Sequence, residues 1–206
     1  MCSSDLVWIA ILVGIVVGTL ATRIGFYETL VYSFNLSVSV YLAVFLTPFV
    51  VTHVPAATEI DAGLPLTLAG LVIGSFILLY GISYLLFTGQ FTIAFPKVVD
   101  LHLSALVGFG AGWLIVSFLA VILSITSPPW GETIMGQGTL ETHTKALRST
   151  CDRIHRFVRA GEPAVDTGQI LAWLADSKKA GEGRPPVGPR DANEAAGAPT
   201  GNSATN

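Results

Sequence analysis

The chain has 206 residues and a net charge of −3, with 51% hydrophobic and only 12% charged residues. Soluble domains run near about 25% charged, so this composition excludes an ordinary water-facing globular fold. The charge is also segregated: of 11 Lys and Arg residues only Arg23 and Lys97 precede Pro129, which joins a membrane half to a polar half.

Met1 to Asp5 is short and polar, and Leu6 to Thr22 is uncharged. A signal peptide would begin with positive charge and end at an A-x-A site; this start carries Asp5 and no such site follows. The run is therefore expected to be a first span over 6–22, with Trp8 at an interface. Gly14 and Gly18 lie one turn apart on one face, where small residues let another helix approach closely. The charged turn Arg23-Ile-Gly-Phe-Tyr-Glu28 is too short for a domain, so spans one and two form an antiparallel hairpin.

In the second span, 29–52, Ser33, Asn35, Ser37 and Ser39 alternate with apolar residues. The alternation reads locally as a strand, but a lone strand in lipid leaves its backbone unsatisfied, so a helix is expected. Ser33, Asn35 and Ser37 then either line a path for a small solute or bond within the protein. In the second case the hydroxyls turn back on their own helix and Asn35 meets a neighbour. The second reading is preferred.

A loop with His53, Glu59 and Asp61 leads to a third span over 65–88, where Gly70 and Gly74 repeat the four-residue spacing and Tyr80 and Tyr84 approach an interface. The connection 89–102 carries Lys97, Asp100 and His102. The fourth span, 103–127, is uncharged, has Gly108 and Gly112 four apart, and stops at Pro128-Pro129. The three glycine pairs are expected to pack helices within the chain or against a membrane-protein partner or second copy.

Beyond Gly138 an amphipathic helix is expected over 139–160, with Leu140, Leu147, Cys151, Ile154 and Val158 on one stripe and Lys145, Arg148, Arg153, Arg156 and Arg159 on a basic face. Such a helix lies on an anionic membrane surface or docks on protein, and both readings stay open. No nucleic-acid-binding motif frames it. A short helix is expected over 166–179. The tail 180–206 contains no Leu, Ile or aromatic residue and is expected to be disordered.

The fold class expected is all-α: a polytopic membrane protein with four transmembrane helices, an amphipathic helix and a disordered C-terminal tail. None of the four spans contains Asp, Glu, Lys or Arg, whereas pumps and ion-coupled transporters usually keep such a group in the membrane. No HExxH, GxSxG or P-loop occurs. With Cys2 at the N-terminus and Cys151 in the tail there is no small Cys-rich unit to staple, so no disulfide framework is expected, and no Cys/His cluster has zinc spacing. The expectation is a non-enzyme without cofactor or metal, whose partners are the lipid bilayer and another membrane protein.

Two stretches carry a family resemblance. Asp5 stands near the start of span one, and Arg23 and Glu28 bracket the turn before span two. Asp100, Ser104, Gly108 and Gly112 then step by four into span four. In these residues the membrane half, about 1–127, resembles the bacterial colicin V production protein family. That family has a turn R-G-x-x-R-E and an Asp-Arg pair followed by stepped glycines. This chain departs at Tyr27 and Leu101, which stand where the family has Arg, and at Ser104, which stands where it has Gly. The resemblance implies a four-span accessory protein of the bacterial inner membrane, with a role in toxin production or export or in envelope homeostasis, and no defined reaction. The alternative is a small channel or transporter subunit with a polar path along span two. The family's basic first turn favours termini outside, whereas the basic tail helix favours a cytoplasmic tail, where anionic lipid attracts it; the cytoplasmic tail is preferred.

Overall fold

An apolar run of about 20 residues satisfies its backbone in lipid only as a helix, and four such runs dominate the sequence. The computed structural model is all-α and describes residues 5–54, 63–87, 96–126, 137–158 and 167–175. Its helices are α1 (Asp5–Ile24), α2 (Phe26–His53), α3 (Gly63–Phe87), α4 (Lys97–Thr126), α5 (Gln137–Val158) and α6 (Thr167–Ala175). Helices α1 to α4 are long and apolar enough to cross a membrane, so the chain is a multi-pass membrane protein in contact with a lipid bilayer. Glu59, Asp61, Arg159 and the tail 180–206 lie outside the described residues, as does the side chain of Asp5.

The four spans pack as a row. α1 lies against α4, α4 against α2, and α2 against α3, while α5 crosses α4 and α2 and is joined there by α6. The facing residues give the directions. Gly14 meets Gly112 and Gly18 meets Gly108, so α1 runs antiparallel to α4. Asn35 meets Ser83 and Ser39 meets Ser75, so α2 runs antiparallel to α3. Since α2 reverses α1, α2 and α4 run parallel, with their first residues at the same end.

One apolar cluster ties the row to the tail helices. It contains Val40 and Val44 of α2, Leu68 and Val72 of α3, Leu114, Phe118 and Val121 of α4, Leu147 and Cys151 of α5, and Ile170 and Leu171 of α6. Large apolar chains on the outer faces, among them Leu12, Phe34, Ile77 and Leu85, are exposed and form the lipid-facing surface.

One boundary and one buried face differ from expectation. α4 begins at Lys97 rather than near 103, so Asp100 and His102 are helical and not part of a connector. On α5 the buried stripe is His143, Leu147, Cys151 and His155, at steps of one turn, whereas Val158 is exposed. Residues at i, i+4, i+8 and i+12 share a face, and the docking surface selects this stripe over the expected one that ran through Leu140 and Val158.

Candidate functional site

A sharp corner joins α1 to α2. Gly25 alone separates them, with φ +103°, a conformation that side chains rarely adopt. Its N–H donates to the carbonyl of Ala21 at 3.0 Å and closes the end of α1. The first amide of α2, Phe26 N–H, donates to Asp100 Oδ1 at 2.8 Å. Asp100 sits in the first turn of α4, so one carboxylate lies at the start of two parallel helices, where the helix dipole favours an anion. A Cβ on Gly25 would lie 3.9 Å from both carboxylate oxygens. Thr29 completes the corner, its hydroxyl donating to the Gly25 carbonyl at 2.7 Å. Arg23 and Glu28 point outward and are exposed.

Below this corner, α1 and α4 cross through their glycines. A Cβ on Gly112 would lie 2.9 Å from the Gly14 Cα, and one on Gly108 would lie 2.5 Å from the Ala21 Cβ and 3.1 Å from the Gly18 Cα. From the other side, a Cβ on Gly18 would meet the Ala105 carbonyl oxygen at 3.0 Å, and one on Gly14 would meet the Phe109 ring at 2.7 Å. Backbone rests on backbone, which only small residues permit. Ser104 extends the ladder, fully buried, with its hydroxyl donating to the carbonyls of Asp100 and Leu101. Gly70 and Gly74 behave differently: no atom lies within 4 Å of a Cβ built on either. Among the described residues they pack against nothing, and they face outward on α3.

The polar residues of span two are held within the protein. Asn35 is 2% exposed. Its amide donates to Ser83 Oγ at 3.0 Å, and the Ser83 hydroxyl can donate back to Asn35 Oδ1 at 3.2 Å. Ser37 donates to the Ser33 carbonyl and Ser39 to the Asn35 carbonyl, at 2.8 and 2.6 Å. The Ser33 hydroxyl is buried without a partner among the described residues. Near Asn35, Tyr32 and Tyr80 stack at 5.2 Å and share a hydrogen bond at 3.1 Å.

The tail helix docks by its own polar groups. His143 Nδ1 lies 2.9 Å from Ser117 Oγ of α4, and His155 Nδ1 lies 2.9 Å from the Tyr41 hydroxyl of α2. The Trp113 ring flanks His143 at 5.3 Å, and Phe45 stacks on His155 at 5.4 Å. Burial pushes the His143 pKa down. Between the two rings, Cys151 is fully buried, and desolvation, helped by the Asp152 charge, pushes its thiol up to about 12. The apolar stripe is thus occupied by protein. The basic face turns away, with Lys145, Arg148, Arg153 and Arg156 exposed and Arg148 Nε 3.8 Å from Asp152. Lys145, Arg148 and Arg156 line an open groove of about 810 Å³ between α5 and α6.

Sequence reasoning missed Ser83 as the partner of Asn35, and Ser117 and Tyr41 as partners of the histidines. The one available signal was the spacing of His143 and His155, which puts them on the Leu147 and Cys151 face. Among the described residues no group of three His, Cys, Asp or Glu is placed to hold a metal ion. The chain matches no protein-family model, no curated protein and no solved structure.

Proposed function

We propose that this membrane protein is a non-enzymatic accessory or scaffold protein that holds a membrane partner. The mutual Asn35–Ser83 pair carries this reading. Asn35, in the uncharged middle of its span, is buried and engaged with a neighbouring helix, so it is not offered to a passing solute. The charge-free spans support the same reading. The outward Gly70 and Gly74 of α3 supply a surface on which a partner helix could approach closely.

The resemblance to the colicin V production family supports a role in toxin export or envelope homeostasis at a bacterial inner membrane. The two stretches that carry it converge in space at the Phe26–Asp100 bond. The exposed basic face of α5 supports a cytoplasmic tail.

Crosslinking in intact cells from a photoreactive residue at Ile73 tests the reading. A discrete adduct, lost in Gly70→Leu or Gly74→Leu, is expected. Solute flux through reconstituted protein that vanishes in Asn35→Leu would instead establish the channel alternative.

A further inference from the structure

His143, Leu147, Cys151 and His155 form the buried face of α5. Two imidazoles are an unexpected choice for a face that docks on apolar spans. Each ring is tied through Nδ1 to a hydroxyl on a different span, Ser117 of α4 and Tyr41 of α2. Each also leaves its Nε2 buried without a partner among the described residues. We propose that α5 is an acid-released latch, docked on α2 and α4 while His143 and His155 are neutral and freed when they are protonated.

The geometry fixes where the proton goes. The Ser117 hydroxyl donates to the Trp113 carbonyl at 2.9 Å, so the Nδ1–H of His143 donates to Ser117 Oγ and Nε2 keeps the lone pair. A proton arriving at Nε2 creates a charged donor in a space without an acceptor, which is among the costlier arrangements in a protein interior. At His155, Nδ1 is engaged by Tyr41 and Nε2 is buried without a partner among the described residues, so the charged ring has one N–H unmatched.

Among the described residues no carboxylate of α2, α4 or α6 is close enough to compensate the charge. On α2 the ionisable residues besides Tyr41 are Tyr27, Glu28, Tyr32 and His53. The one carboxylate among them, Glu28, lies about 20 Å along the helix from Tyr41. On α4 they are Lys97, Asp100 and His102, with Asp100 about 25 Å along the helix from Ser117. α6 has none. On α5 itself Glu141 is exposed and Asp152 lies beside Arg148, while Lys145, Arg148, Arg153 and Arg156 oppose further positive charge. Trp113 and Phe45 present aromatic rings, a weaker substitute for lost hydration.

The sign follows from His143. Its buried ring binds a proton less readily than an imidazole at the ordinary value of 6.5. The docked state is therefore fully favoured above that value and loses stability as pH falls below it.

Cys151 reports the latch directly, because it is fully buried between the two histidines. In the full-length Cys2→Ser protein, reconstituted in nanodiscs, its reaction with 4,4′-dithiodipyridine is measured against an unfolded α5 peptide at each pH. Protection at about pH 7.5 should fall at least about tenfold by about pH 5. The His143→Asn, His155→Asn double variant keeps a donor near each Nδ1 position and cannot be charged, so its Cys151 should stay protected at both values. Unchanged protection of the parent protein at about pH 5, or an equal acid response in the double variant, overturns the proposal. If the double variant fails to dock at neutral pH, hydrogen exchange of residues 137–158 in the parent protein decides. Loss of protection on acidification, corrected for intrinsic exchange and confined to this helix, supports the latch. Retained protection overturns it.

Discussion

Phe26 donates its backbone N–H to the Asp100 carboxylate at 2.8 Å across 74 residues of chain. A helix ordinarily takes its N-cap from the residue just before it. Here that residue is Gly25, which has no side chain to offer and is held in a conformation suited to turning the chain. The cap comes instead from α4. The bond links the first hairpin to the last span and sets the parallel alignment of α2 and α4.

Asp100→Ala should therefore destabilise the protein by about 0.5–2 kcal/mol, the usual cost of a lost cap. Asp100→Asn, which keeps an acceptor and loses the charge, should cost less. Gly25→Ala should cost about 1–3 kcal/mol through backbone strain. Unfolding in mixed micelles of rising SDS content, followed by circular dichroism, measures all three.

The glycine pairs should separate cleanly. Gly112→Ala places a Cβ against the Gly14 backbone, which cannot swing aside as a side chain can, and Gly108→Ala drives one into Ala21. Each should cost about 1–3 kcal/mol, the range for overpacking. Gly70→Ala and Gly74→Ala meet no atom and should leave monomer stability unchanged in the same assay. Equal losses at all four positions would contradict the row arrangement of the spans.

The spans were legible because apolar length and lipid leave one backbone solution. The start of α4 was not, since Lys97, Asp100 and His102 look like a connector until Asp100 is seen capping a helix that begins 74 residues earlier. The docking face of α5 was half legible. Leu147 and Cys151 announced themselves by hydrophobicity, but His143 and His155 carry no such signal. What buries them is a pair of hydroxyls on distant helices, and no local pattern encodes that.

Asn35 and Ser83 should behave as a coupled pair. A double-mutant cycle of Asn35→Ala and Ser83→Ala should give a coupling near about 0.6 kcal/mol and no more than about 1.7, the range measured for hydrogen bonds between membrane helices. Tyr32→Phe should lose its hydroxyl bond to Tyr80 and keep the ring stack.

Docking of α5 should also fail on truncation and at alkaline pH. Leu147→Ala empties a fully buried site and should cost about 2–5 kcal/mol of docking energy, read as faster alkylation of Cys151. The Cys151 thiol is raised from 9.0 to about 12, so its contribution to docking is complete below 9.0 and disappears as pH rises toward 12. Hydrogen exchange protection of α5 should weaken across that window and recover in Cys151→Ala.

The crossing of α1 with α4 also has a consequence for biosynthesis. α1 leaves the ribosome before α4, so Gly14 and Gly18 stay unmatched until residues 108–112 arrive. A chain that stops short of them carries an unmatched seam on α1 and an uncapped α2. One event, insertion of α4, removes both defects together.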